Sequence, residues 1–200
     1  MDVIWLNSGA EPLSPVITTH PRVRVVDQFR LTAGDLGAVS GLVSGTLLDQ
    51  DAVLVLRPAL EAFLDRGGRW FFNGHFLRPM VGGIKPFRPI RQPRRADLSQ
   101  TRLAPHPIFA GIEIAHLETN KGVAGFYGRG CNPLPKGAIP VTGLGEALVP
   151  VDWVWARPGG GRVFSHAGND LDQLGREWNL GPLLQGRIID WAGGGPCLCA

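Results

Sequence analysis

Short apolar runs bounded by turn residues recur along this chain, and one longer stretch carries helical spacing. Val3-Ile4-Trp5-Leu6 ends at Asn7-Ser8-Gly9 and predicts a buried first strand. Pro12, Pro15 and Pro21 leave residues 10–21 without periodicity, so a loop is expected there. Residues 23–26 predict a second strand, and residues 36–43 a third, weakened by Gly37 and Gly41. Leu54, Leu56, Leu60, Phe63 and Leu64 fall near helical spacing, and Gly67-Gly68 closes the run. Pro58 marks either a start or a kink in that helix. Arg69-Trp70-Phe71-Phe72 follows as an apolar strand. A helix, two glycines and a buried strand make half of a βαβ unit, which points to a parallel sheet covered by helices.

Residues 77–107 carry Pro79, Pro86, Pro89, Pro93, Pro105 and Pro107 and predict a long excursion. Strand-like runs follow at 112–117, 138–142, 148–156 and 162–165. Gly159-Gly160-Gly161 separates the last two as a hairpin turn would. A helical region over 170–191 is interrupted by Gly181-Pro182, and Leu183, Leu184, Ile188, Ile189 and Trp191 give it an apolar stripe. No internal repeat and no second core is visible. The expectation is one domain over residues 1–195, with the 77–107 excursion and a flexible tail at 196–200.

Composition narrows the class. A chain of 200 residues with 44% hydrophobic residues can bury a substantial core. No apolar run approaches the roughly 18 residues needed to cross a bilayer, and the first residues carry no leader signature. A cytoplasmic protein with no membrane contact is expected. The cysteines, Cys131, Cys197 and Cys199, are odd in number and argue against a disulfide framework. Cys197-Leu198-Cys199 has no second pair of ligands in the sequence, so no metal and no cofactor is expected. Formal net charge is +3, with Arg78, Lys85, Arg88, Arg91, Arg94, Arg95 and Arg102 in one stretch. That stretch is either a contact for an anionic partner or a solvated loop. No aromatic platform or nucleic-acid motif accompanies it, so nucleic acid is not the expected partner.

Three stretches together resemble the class I glutamine amidotransferase-like superfamily, closest to its trehalose-utilisation (ThuA-like) branch. They are residues 60–75, LEAFLDRGGRWFFNGH; residues 106–111, HPIFAG; and residues 159–170, GGGRVFSHAGND, before IIDWAGG. The resemblance implies a flavodoxin-like, doubly wound, mostly parallel sheet with helices on both faces. It also implies a sharp turn after the strand ending at Phe72, where amidotransferases carry their cysteine. The nearest positions here are Asn73 and Gly74, and a carboxamide is not a nucleophile. Asn tolerates left-handed backbone geometry, which suits such an elbow. Glu118 and Asn120 stand where the branch often carries an acidic pair, which is not preserved.

His75 and His166 each come just after a predicted strand. Parallel neighbours end on one edge of a sheet, so both imidazoles could share a crevice. Asn73, Gly74, His75, His166 and Asn169 are therefore the candidate ligand-binding residues, with Asp170 nearby. The other reading has each imidazole bonded to its own turn. His106, ahead of Pro107, is expected to start a structural turn. Tyr127 suits a pocket wall and core packing equally. Trp153 and Trp155 alternate about Val154 and should share one sheet face. No catalytic residue can be named. The leading function is binding or processing of a small polar, sugar-like ligand at the sheet's carboxyl edge, without glutaminase chemistry. The alternative is a non-catalytic interaction or assembly module, and a homo-oligomer stays open.

Overall fold

The computed structural model describes residues 2–10 and 12–196. Eight strands form its main sheet. They are β1 (Val3–Asn7), β2 (Val23–Asp27), β3 (Gly41–Ser44), β4 (Arg69–Asn73), β5 (Gln100–Arg102), β6 (Ile139–Leu144), β7 (Val149–Ala156) and β8 (Arg162–His166). Their order across the sheet is β2-β1-β3-β4-β8-β7-β6-β5. The pairings from β2 through to β8 are parallel, and β8-β7, β7-β6 and β6-β5 are antiparallel. The sheet is thus mostly parallel, with an antiparallel flank. The helices are α1 (Pro15–Thr18), α2 (Ala33–Gly37), α3 (Gln50–Leu54), α4 (Arg57–Asp65), α5 (Ala115–Glu118) and α6 (Gly181–Ala192).

Alternation along the strands divides the core into two apolar clusters. Val3, Trp5, Phe71 and Phe164 meet Ile17 of α1 and Leu184, Ile188 and Trp191 of α6. Ile4, Leu6, Trp70, Phe72 and Val163 meet Leu36, Val53 and the α4 residues Leu60, Phe63 and Leu64. Trp153 and Trp155 both belong to the second cluster, as their spacing requires. Phe71 and Phe164 stack at 4.9 Å on adjacent parallel strands. Burying each such ring stabilises the fold by roughly 2 kcal/mol relative to exposure.

Several sequence expectations shift. Residues 36–43 are not one strand. Thr32 and Asp35 form a capping box that starts α2, and the strand begins only at Gly41. Residues 10–21 are not all loop, because Pro15 opens the short α1. Pro58 lies in the first turn of α4, so it starts that helix and does not kink it. Gly181-Pro182 likewise opens α6 and does not interrupt a longer helix. Residues 112–117 are turn and helix, a failure of periodicity over a run too short to distinguish the two states. Residues 77–107 carry structure of their own. Met80, Val81 and Ile84 are buried in the second cluster, and Arg88–Pro89 pairs with Gly130–Cys131. The arginines there are not all without partners. Arg78 is paired with Asp51, Arg94 with Asp97, and Arg102 reaches Thr142. The tail expectation falls on residues 197–200, including Cys197 and Cys199, which lie outside the described residues. Among the described residues, no helix is long and apolar enough to cross a membrane.

Candidate functional site

β1 is flanked by β2 on one side and β3 on the other. The chain therefore leaves the ends of β1 and β3 in different directions. In open α/β sheets such a divergence leaves a crevice outside the carboxyl ends of the strands. A crevice of about 400 Å³ lies there. Its polar wall includes Asn7 at the end of β1, Thr46 after β3, Asn73 at the end of β4, and Asn169, Asp170 and Asp172 after β8. Trp5, Leu48 and Phe126 supply apolar wall, and Asn120 reaches the same crevice.

Asn73 is the residue at the expected elbow, but it is the last residue of a regular strand. The left-handed residue is Gly74, at φ +102°. A Cβ at Gly74 would sit 3.0 Å from Thr46 Cα, so the turn requires glycine twice over. The Asn73 amide is buried and engaged. Its Nδ2 donates to the Ser44 carbonyl at 3.3 Å, and its Oδ1 accepts from the Leu171 amide at 2.9 Å. Asn73 thus ties β3 to the turn that carries Asp170 and Asp172.

That turn is held from two further directions. The Thr46 amide and hydroxyl donate to Asp170 Oδ1 at 2.6 and 2.9 Å. Gln185 Nε2 donates to Asp172 Oδ2 at 2.9 Å, and Ser14 Oγ donates to Gln185 Oε1 at 2.6 Å. The Asp172 carboxyl is 5% exposed. Burial, with a smaller contribution from the nearby Asp170 charge, raises its pKa to about 6 against the Gln185 hydrogen bond. A carboxyl tuned this way in a cleft is a candidate functional group.

Beside the crevice lies a smaller hollow of about 290 Å³, lined by His75, Gly125, Phe126, Gly128, Arg129, Gly168 and Asn169. Phe126 and Asn169 line both. His75 stacks on Phe87 at 3.6 Å between centroids. Partial desolvation, and then His166, hold its pKa below the usual imidazole value. His166 lines neither cavity. It is fully buried, and its Nε2 lies 2.7 Å from where a Cβ on Gly168 would be. The imidazole thus sits directly behind the glycine that lines the hollow.

The buried neighbours of His166 follow from the sheet register. Asn73, His166, Asp152, Thr142 and Arg102 are successive cross-strand partners on β4, β8, β7, β6 and β5. His166 Nδ1 donates to Asp152 Oδ1 at 2.6 Å. The Tyr127 hydroxyl donates to Asp152 Oδ2, and Arg102 Nη1 lies 4.0 Å from that oxygen and donates to Thr142. Burial pushes the Asp152 carboxyl up, but His166 and the hydroxyls of Thr142 and Tyr127 more than offset it, and its pKa falls below the usual value. Burial and the Asp152 charge push the Tyr127 hydroxyl well above the ordinary tyrosine value. His106 starts the turn Pro107–Phe109, with Nδ1 accepting from the Ile108 amide at 3.3 Å. Burial lowers its pKa to about 4.

Of the residues expected at one site, Asn73 and Asn169 reach the crevice, His75 and Asn169 reach the hollow, and His166 and Gly74 lie behind them. Gly74 donates its amide to the His166 carbonyl at 2.9 Å, joining the two strand ends. Sequence reasoning passed over Asp152 and Asp172. Asp152 had a usable signal: a lone acid inside the apolar strand VPVDWVWA must find partners when buried. Asp172 had little, since acids in loops are ordinarily solvated. Among the described residues, no group of three or more His, Cys, Asp or Glu side chains could hold a metal ion.

No protein-family model matches the chain. No curated protein matches it in sequence. Solved structures do. The chain is similar to the cytoplasmic protein STM3548 from Salmonella typhimurium, at a TM-score of 0.60 and 10% identity, over 96% of this chain and 98% of that one. It is also similar to the mmIFT52 N-terminal domain, at a TM-score of 0.56 and 12% identity, over 98% of each chain. At such identities the likeness is one of fold.

Proposed function

We propose that this chain is a cytoplasmic protein of the class I glutamine amidotransferase-like type, near the ThuA-like branch and with a doubly wound, flavodoxin-like sheet. It lacks the cysteine nucleophile and binds a small polar ligand at the carboxyl edge of its sheet. The observation that carries this reading is the crevice itself. It opens at the point where the strand order diverges, its volume of about 400 Å³ falls in the range of small-molecule sites, and its polar wall is built from amides, hydroxyls and two carboxyls. The closely bonded turn behind it favours a preformed site, because Asn73, Thr46 and Gln185 each fix part of that wall. The description of one similar structure as a cytoplasmic protein is consistent with the assigned compartment.

Backbone amide spectra of the full chain, recorded with a panel of small polar fragments, test the proposal. Shifts concentrated at Asn7, Thr46, Asn169 and Asp170 are expected. Shifts confined to residues 88–102 would overturn it, because they would place recognition on the arginine-rich face.

A further inference from the structure

The crevice carries an electrostatic imbalance that limits what it can hold. Among the described residues, its charged wall residues are Asp170, Asp172 and Arg176. Arg176 is exposed and committed to Gln173, donating Nε to the Gln173 carbonyl at 3.1 Å and Nη2 to the Gln173 side chain. Among the described residues, neither acid is paired with a cation. Asp172 is the more exacting of the two, because it is 5% exposed and so largely removed from water. Both side-chain donors to it, Gln185 and Gln173, land on Oδ2. A mostly buried carboxylate that lines a cavity with no cation partner favours a charged donor.

Resting on the crevice reading above, we propose that the ligand carries a cationic amino group, which docks against Asp172 with Asp170 as the second carboxylate. The rest of such a ligand meets the neutral amides and hydroxyls of Asn7, Ser8 and Asn169. An anionic ligand would face two carboxylates of its own sign against the single Arg176 guanidinium, which is turned to Gln173. A neutral polyol could hydrogen-bond to Asp172 but would leave its charge uncompensated. Hydrogen bonds between ionised partners are about twice as strong as neutral ones, so selection follows from charge and needs no further contact. The Ser14–Gln185–Asp172 relay adds direction. An ionised carboxylate only accepts, so Gln185 presents Nε2 to Asp172 Oδ2 and leaves its Oε1 to the Ser14 hydroxyl.

The test uses three fragments that differ in one group: ethanolamine, ethylene glycol and glycolate. Each is titrated at equal concentration into the full chain and into Asp172→Asn at about pH 7.5, where ethanolamine is cationic, and amide shifts are followed at Thr46, Asn169, Asp170 and Gln173. Ethanolamine is expected to bind roughly tenfold more tightly than either partner fragment, and Asp172→Asn to abolish that preference. Equal or tighter binding of ethylene glycol or glycolate would overturn the cation preference and leave the crevice reading standing. An ethanolamine preference that persists in Asp172→Asn would also overturn it. Absence of shifts at these positions with all three fragments would sink both readings together.

Discussion

His166 faces Asp152 across the antiparallel pairing of β8 and β7, with its Nδ1 donating to the carboxylate at 2.6 Å and both side chains fully buried. Tyr127 takes the other carboxylate oxygen, and Arg102 approaches it from the sheet edge. Removing the acid would leave an imidazole N–H, a phenol and a guanidinium without their shared acceptor. We expect Asp152→Ala to cost about 3–5 kcal/mol, the range for breaking a buried pair at one partner. Chemical denaturation at neutral pH measures it, and a loss below about 1 kcal/mol would show that the network is solvated.

The same carboxylate predicts acid sensitivity. Its folded pKa lies below the ordinary aspartate value of 3.8, so its stabilising contribution is present above that value and is lost as pH falls through the lower folded one. Unfolding in wild type should steepen below about pH 4. In Asp152→Asn that portion of the acid transition should vanish. An unchanged acid limb would exclude Asp152 as its source.

Glutamine hydrolysis is not expected. The elbow position holds Asn73, whose amide is spent on Ser44 and Leu171. The only described thiol, Cys131, sits in the strand Gly130–Cys131, and burial raises its pKa, partly offset by Arg88, so the thiolate is disfavoured at neutral pH. Ammonia release from glutamine should match the buffer blank. Release above the blank that disappears in Cys131→Ala would contradict this.

Much of the sheet was legible because buried strands leave short apolar runs. β1, β2, β4 and β7 lie within a residue or so of where hydrophobicity puts them. β3 was blurred by α2, whose start depends on the Thr32–Asp35 capping box and not on periodicity. The site was legible only to the level of an edge. Asn73 and His166 are register partners at adjacent strand ends, but no sequence pattern says which side of the edge a side chain takes. His166 turns into the layer under Gly168 because Asp152 stands opposite it, and that register depends on a hairpin whose pairing the glycines at 159–161 suggest without fixing. Asp170 and Asp172 are placed by hydrogen bonds from Thr46 and Gln185, residues far away in the chain. Such long-range contacts have no local signature.

Gly168 is the narrowest point of this edge. A Cβ there would collide with the Tyr127 carbonyl and lie 2.7 Å from His166 Nε2. Neither neighbour can retreat easily, since one is backbone and the other is held by Asp152. Gly168→Ala should cost roughly 3 kcal/mol or more, within the range for overpacking against fixed atoms. Gly37→Ala, in open space within α2, should be neutral or stabilising by a few tenths of a kcal/mol. Equal melting temperatures for the two variants would refute the steric account.

Asp172 provides a test in which loss of the residue should strengthen the fold. Its folded pKa of about 6 stands above the ordinary aspartate value of 3.8. With the folded value raised, the protonated form is the one the fold favours. The favourable contribution is complete below about pH 3.8 and is lost as pH rises through about 6, above which the native state holds an ionised carboxylate in a nearly dry site beside Asp170, with Arg176 turned to Gln173. The difference of 6 and 3.8, about 2.2 units, corresponds to roughly 3 kcal/mol as an upper figure. Asparagine keeps the shape and one acceptor for Gln185 without the charge. Asp172→Asn should therefore unfold later than wild type by up to about 3 kcal/mol at about pH 8, and the gain should shrink toward zero below about pH 4. Urea titrations of both proteins at these two pH values decide it. A destabilised variant at the higher pH would mean that the carboxylate is compensated within the fold, and the case for a cationic ligand would lose its physical basis.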